Sequence, residues 1–431
     1  MTSLFTADYK NQPYWWEAAP RPAADTQSLP TDIDVLIIGA GYTGLMAGIQ
    51  TARGGRSTLI IDAEAAGWGC SSRNGGQVST SIKPSFSELS GRHNEETAFA
   101  IRREGIRALE YIGDLIRSEK LDCDWEQVGR FHAAHNEKQF AALAQVAENQ
   151  TKGLEVPVEI ITRAEQRREI GSDYYHGGLV YPKHAALHPG KYHLELLRLA
   201  RQAGVQVISH CAARNIERQS SGFRVTTAHG LVRARDVVIA TNGYTGPLSP
   251  WQRRRVIPIG SYIIATEPLA PEVARDVAPT NRVMSDSRRV VFYYRLSPDK
   301  QRMLFGGRVA FSETDPQVSA PRLHHWMSGI FPQLRQSRIS HSWMGFVAYT
   351  FDTLPHIGTQ DGLHYCMGYC GSGVSLATYF GMRLGQKVLG TAEGKTALDN
   401  VPFQTRPFYS GDPWFLAPSV MWYRFLDSLP I

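Results

Sequence analysis

Cysteine is scarce in this chain, and nothing in its placement would pair or ligate it. The five residues, Cys70, Cys123, Cys211, Cys366 and Cys370, are odd in number, form no CxxC, and leave Cys366 and Cys370 without a second ligand pair. A disulfide framework and a metal site are not expected, and the pattern suits reduced thiols in a cytoplasmic setting. No stretch of eighteen near-continuous apolar residues occurs, so no membrane span is expected. The N-terminal segment has no basic start followed by an apolar core, so no secretory leader is expected either. The net charge of +6 is not gathered into a block of Lys/Arg, which argues against nucleic acid as a partner. Short clusters such as Arg253-Arg254-Arg255 read as solvated loop faces. Repeats and low-complexity tracts are missing too.

What is present suits a large folded core. The 431 residues are 42% hydrophobic and 20% charged, enough for two or three domains. Residues 1–30 read as an N-terminal arm that packs onto the body through Tyr14, Trp15 and Trp16. Order begins at "DIDVLIIGAGYTGLMAGIQTARGG", where the apolar run Val35 to Ile38 passes through glycines into a helix. "STLIID" then supplies a second buried strand. This is the opening βαβ unit of a doubly wound sheet. Residues 85–119 carry the period of one long amphipathic helix. Strands return before 250, closing with Val237 to Ala240, and 256–310 is strand-rich again. A helix around 320–331 follows, and the chain ends with a strand, a glycine turn and a long helix. The expected architecture is α/β. A Rossmann-like nucleotide-binding domain (31–122, 185–250 and 340–431) is interleaved with an α+β substrate domain on an antiparallel sheet (123–184 and 251–339).

Gly39-Ala40-Gly41-Tyr42-Thr43-Gly44 lies between the first strand and the first helix. Gly39 permits the tight turn, Gly41 lets backbone approach a pyrophosphate, and Gly44 lets helix and strand pack closely. The helix start offers free N–H groups and a positive dipole end to phosphate. Asp62, about twenty residues on, ends the second strand, where an acid bonds ribose hydroxyls. That suits FAD or NAD. No second glycine fingerprint appears, so a flavoprotein of this sequence would draw electrons from its substrate directly.

Residues 67–77, "GWGCSSRNGGQ", have no helix or strand period and admit three readings: a linker, a reactive-cysteine site, or a backbone surface for a ligand. Their place directly after the acid-ended strand favours the last. Cys70 has neither a resolving cysteine nor a histidine in the stretch and reads as a small packing residue.

"DVLIIGAGYTGLMAG", "GCSSRNGGQ", "VVIATNGY" and the late "DTLPHIG" and "GYCGSGVSLATYFG" together resemble the D-amino-acid-oxidase-type FAD oxidoreductases, in the same order and over nearly the whole chain. "SRNGGQ", "SYIIATEPL", "RMLFGGR" and "TLPHIG" look most like the gamma-glutamylputrescine oxidase branch of that family. The resemblance implies an FAD site made by Gly39, Gly41, Tyr42, Thr43, Gly44, Asp62 and Ala63. Ser71, Ser72, Arg73, Asn74, Gly75, Gly76 and Gln77 would follow the pyrophosphate and the flavin ring. Ala213, Thr241, Asn242, Gly243, Leu354, Gly371, Ser372, Gly373 and Val374 would complete the site. The start of the late helix would steady negative charge on the flavin's pyrimidine edge.

By the same resemblance, hydride passes from a C–N bond to flavin N5, the imine hydrolyses, and O2 takes the electrons to give H2O2. The alternatives are an amine or N-alkyl amino acid dehydrogenase feeding a quinone or an electron-transfer flavoprotein, and a flavin-binding regulator without turnover. Some family members hold FAD through a cysteine before the late proline motif or a histidine after the first unit. Neither residue stands in "SHSWMGFVAYTFDTLPHIG" or in 67–77, so FAD is expected to be noncovalent. Many relatives also clamp the substrate carboxylate with an arginine in a "WxGxRP"-like segment. Here Val347 occupies that place, and a simple α-amino acid loses an anchor worth about 2–5 kcal/mol. The expected substrate is therefore an extended amine. Tyr262, Tyr294, Arg295 and Trp343 are the residues expected to position it, with Tyr293 and Tyr349 as further candidates.

Overall fold

Strands buried on both faces read as unbroken apolar runs, and five of them form the parallel heart of an eight-stranded sheet. In the computed structural model, which describes residues 3–23, 28–308 and 314–428, their order is Leu363–Met367, Gly230–Ile239, Asp32–Ile38, Thr58–Ile61 and Gln206–Ile208. Alternation divides each run between two cores. Val35 and Ile37 face the helices Tyr42–Arg53, Glu95–Ser118, Pro189–Gln202 and Gly373–Leu389. Leu36 and Ile38 face a second core with Val225, Val232 and Phe403. The first and last of these helices approach closely through small residues: a Cβ at Gly385 would lie 2.5 Å from that of Gln50. The single helix expected over 85–119 is two, Phe86–Arg92 and Glu95–Ser118. Asn94 starts the second by accepting from Thr97 N–H at 2.8 Å, a capping bond strong enough to break the chain's helical run.

The second sheet has nine strands in the order Phe5–Lys10, Ile339–Tyr349, Ile257–Thr266, Met303–Gly307, Phe292–Leu296, Val283–Asp286, Arg130–Ala133, Gly178–Tyr181 and Glu159–Ile161. It is antiparallel except where Phe5–Lys10 meets Ile339–Tyr349 and where Val283–Asp286 meets Arg130–Ala133. The helix Pro316–Ile330 covers one face over Tyr262, Ile264, Tyr294 and Phe305. Two segments lie across the boundaries drawn from the sequence. The N-terminal arm contributes an edge strand, and Ile339–Tyr349 joins this sheet rather than the nucleotide-binding part, because its backbone pairs with Ile257–Thr266 along nearly its whole length. No helix among the described residues is long and apolar enough to cross a membrane.

Candidate active site

The five parallel strands end at one edge, and the expected nucleotide-binding residues follow them there: Gly39 after Ile38, Asp62 after Ile61, Thr241 and Asn242 just beyond Ile239. This is the crevice at the carboxyl ends where α/β sheets take ligands. Gly39 adopts φ +112, open only to glycine without strain, and a Cβ there would sit 2.8 Å from Ala240 O. A Cβ at Gly44 would lie 1.9 Å from Gly39 O, so strand and helix meet backbone to backbone. The helix Tyr42–Arg53 begins at Gly41 with no side-chain cap. Ser71 Oγ accepts from Tyr42 N–H at 3.0 Å, bringing the 67–77 segment to this end.

Asp62 Oδ2 accepts from Ala40 N–H at 2.8 Å and Oδ1 from Glu64 N–H at 3.0 Å. Burial pushes its carboxyl above the usual range, while those two N–H groups pull it back. A carboxylate has about four acceptor sites, which leaves room for ribose hydroxyls. Cys211 N–H bonds Asp62 O at 2.7 Å, drawing the chain before Ala213 beside the acid; Ala63 is exposed next to it. Thr43 Oγ1 pairs with Tyr369 Oη at 2.6 Å, and Asn242 Oδ1 accepts from Gly368 N–H at 2.9 Å, so both side chains also bind the late turn. Gly243 lies against Phe346, and Leu354 is fully buried.

Three indoles hold the 67–77 segment. Trp15 Nε1 donates to Asn74 O at 2.9 Å, Trp16 Nε1 to Ser72 Oγ at 2.8 Å, and Trp343 Nε1 to Arg73 O at 2.8 Å. The Arg73 guanidinium lies over the Trp68 and Trp16 rings at 4.2 and 4.9 Å, and its Nε donates to Trp68 O at 2.6 Å. Asn74 Nδ2 donates to Cys70 O at 3.0 Å while its Oδ1 accepts from Gly76 N–H at 2.8 Å. Ser72, Arg73 and Asn74 thus shape the segment through protein contacts. Its surface is backbone, as Gly75 and Gly76 allow. Burial pushes the Cys70 thiol up to about 11, so it stays protonated.

Between the nine-stranded sheet and the start of the helix Gly373–Leu389 lies a cavity of about 1340 Å³. Its wall includes Cys70, Asn74, Gly75 and Gln77 on one side and Gly371, Ser372 and Val374 on another. The helix Gly373–Leu389 starts there with no side-chain cap, so its first N–H groups and positive dipole end face the space. An apposed glycine surface and an open helix start fit a flavin ring, as the uncapped glycine turn and Asp62 fit its dinucleotide. The strand Ile339–Tyr349 contributes Gly345, Val347 and Tyr349, the period-two set of one face.

The four residues expected to position substrate lie outside this wall. Tyr294 faces the apolar core and donates to Tyr175 Oη at 2.9 Å; its neighbour Tyr293 faces the cavity and pairs with Ser261 Oγ at 2.8 Å. Tyr262 lies in the same core, its Oη accepting from Thr314 N–H at 2.9 Å. Arg295 Nη1 donates to Leu187 O at 2.9 Å and Gly76 O at 3.4 Å, which makes it a buried brace behind the glycine segment. Trp343 is a second brace, through Arg73. Strand alternation turns Tyr262 and Tyr294 away from the space that Ser261 and Tyr293 line; Arg295 and Trp343 share the parity of lining residues and are held instead by the carbonyls of Leu187 and Arg73. Lys83, Arg130, His132 and His184 do line the cavity and had not been singled out. Arg130 and His132, two apart in a short strand, were the legible signal of a polar face.

Residues 34–387 match the DAO family, described as FAD dependent oxidoreductase. The chain is 30% identical over 412 residues to gamma-glutamylputrescine oxidoreductase of Escherichia coli (strain K12), covering 94% of this chain and 96% of that protein. Glycine oxidase from Geobacillus kaustophilus shares the fold with TM-score 0.73 at 20% identity, over 88% of this chain and 99% of that one. L-proline dehydrogenase from P. horikoshii shares it with TM-score 0.70 at 17% identity, over 91% and 99%.

Proposed function

The chain belongs to the DAO family of FAD-dependent oxidoreductases, and from there we propose that it oxidises a C–N bond in an extended amine of the γ-glutamylputrescine kind. Oxygen is the proposed acceptor, with H2O2 and a carbonyl compound as products after imine hydrolysis. Bound FAD supplies the two-electron acceptor for the C–H bond beside nitrogen. The chain's own residues bind and orient. Gly41 and the helix start beyond it receive the pyrophosphate, in a turn that Gly39 and Gly44 make possible, Asp62 the ribose, and the braced segment 70–77 with the start of Gly373–Leu389 the ring. Noncovalent attachment is part of the proposal. It is supported by the thiols of Cys70 and Cys370, both in the cavity wall and both pushed up to about 11 by burial. A cytoplasmic setting is supported by all five cysteines being free thiols. The eight-stranded sheet would serve FAD and the nine-stranded sheet substrate.

Val347 carries the substrate reading. It lines the cavity beside Tyr349, and an apolar side chain there offers no bidentate partner to an α-carboxylate. Tyr293 and Tyr349 would flank the reacting amine, and their rings beside Val347 would favour its unprotonated form by desolvation. A panel of amines added anaerobically to the yellow protein tests this by flavin bleaching. Extended amines should bleach it, simple α-amino acids should not, and colour should return within catalytic time on mixing with oxygen. Bleaching without return moves the acceptor to a quinone or an electron-transfer flavoprotein. No bleaching by any amine overturns the enzymatic reading and leaves a flavin-binding regulator.

A further inference from the structure

The reading above leaves one part of the cavity wall unused. Arg130, in the strand Arg130–Ala133, stands five strands from Ile339–Tyr349 in the sheet order, and Lys83, His132, His184 and Tyr181 line the cavity with it. The Arg130 guanidinium lies 5.1 Å from the Tyr181 ring centroid, and Tyr181 stacks on His184 at 4.9 Å. Lys83 Nζ stands 5.4 Å from the Tyr349 ring. Among the described residues the wall holds one acid, Asp286, and it is taken up by Arg288 and by Phe292 N–H. Among the described residues neither Arg130 nor Lys83 has a carboxylate partner, Arg130 lying by Tyr181 and Lys83 by Tyr349. Burial, then Arg130, pushes His132 down to about 3 and His184 well below the usual range, so both rings are neutral. Thr80 N–H points at His184 Nε2 at 3.4 Å, which puts the ring proton on Nδ1. That Nδ1–H and Arg130 Nε–H are both buried and have no hydrogen-bond partner. Two unpartnered donors beside a fixed cation ask for an acceptor with two oxygens and a negative charge.

We propose that Arg130, with Lys83 and the Nδ1 edge of His184, forms a carboxylate subsite, so that the amine oxidised here carries a carboxylate at the end remote from its reacting C–N bond. The subsite rests on the amine-oxidising reading and adds to it where the substrate's charge is held. The family's usual anchor position, Val347, is apolar, and the anchoring cation stands at another part of the same cavity. A substrate long enough to reach from Val347 to Arg130 would fill the part of the cavity that the flavin ring leaves.

A matched pair tests it: γ-glutamylputrescine and γ-aminobutyrylputrescine, which differ only by the α-carboxylate. The holoenzyme should prefer the first in kcat/KM by about 30-fold or more, mainly through KM. In Arg130→Gln that ratio should fall towards one, and Arg130→Lys should restore part of it. An unchanged ratio in a folded, yellow Arg130→Gln protein overturns the subsite. Calorimetric titration of glutarate into the holoenzyme reads the same site without turnover: binding to wild type that is lost in Arg130→Gln is expected, and no difference refutes it. Loss of flavin absorbance along with the discrimination would assign Arg130 to the cofactor and overturn the proposal. If neither amine bleaches the wild-type flavin while glutarate still binds through Arg130, the amine-oxidising reading fails and the anion subsite stands.

Discussion

His193 ties the glycine turn to the N-terminal arm, and its burial makes that tie sensitive to acid. The ring is fully buried; Nε2–H donates to Ala40 O at 2.8 Å, and Nδ1 accepts from Arg21 Nη1 at 3.2 Å. Burial, then the Arg21 charge, pushes its pKa from 6.5 to about 3. An unfolded chain takes up this proton as pH falls through 6.5, whereas the folded one resists until about 3. The stability this neutral ring contributes is therefore fully present above pH 6.5 and lost as pH falls from there towards 3. At pH 5.5 the loss is RT ln(1 + 10), about 1.4 kcal/mol. His188, buried as the cap of Pro189–Gln202 and pushed down to about 4, adds a similar loss over the same interval. His193→Gln keeps an amide donor and acceptor at the site and removes the titration. Urea unfolding at pH 7.5 and 5.5 should show wild type losing about 1.4 kcal/mol more than the variant between the two pH values. Because the comparison is a difference of differences, a uniform destabilisation by glutamine does not disturb it. Equal losses in the two proteins would refute the assignment of a buried, neutral imidazole.

Gly44→Ala should destabilise the chain by about 3 kcal/mol or more and abolish flavin retention, because the new Cβ would meet Gly39 O at 1.9 Å. Gly48→Ala comes under 3 Å only to the flexible end of a side chain, Ile60 Cδ1 at 2.8 Å, and should cost about 1 kcal/mol or less; urea midpoints and absorbance at 450 nm (roughly the flavin maximum) compare the two. Trp15→Ala should cost about 3–5 kcal/mol and loosen the 72–74 segment, while Trp15→Phe isolates the Asn74 bond at about 1 kcal/mol. Val347→Arg should raise kcat/KM for simple α-amino acids by about tenfold or more, and an unchanged amine panel would count against a cavity-facing clamp position.

What was legible in the sequence shares one property: the cause is local. Gly44 answers a steric demand from Gly39 within six residues, Gly39 a local φ of +112, and the buried runs at Val35 and Leu59 burial on both faces, so the doubly wound sheet and its ligand edge could be read directly. The substrate side could not, because "FYYR" holds two tyrosines that must face opposite sides of the strand and nothing local says which one meets the cavity. Arg295 likewise has the chemistry of a clamp, but the carbonyls that claim it belong to Leu187 and Gly76. The Phe5–Lys10 strand has its partner more than three hundred residues away, at Ile339–Tyr349.

Position 347 is the informative exception. Its motif sets it apart by sequence alone, and the alternation Gly345, Val347, Tyr349 independently turns it into the cavity. Arg130 reaches the same cavity with His132, two residues on, through the alternation of a four-residue strand. A cation missing from one wall and an unpaired one present on another are a single fact about charge in one cavity. With the proposed subsite at Arg130, substrate choice becomes a question of which end of the molecule bears the carboxylate.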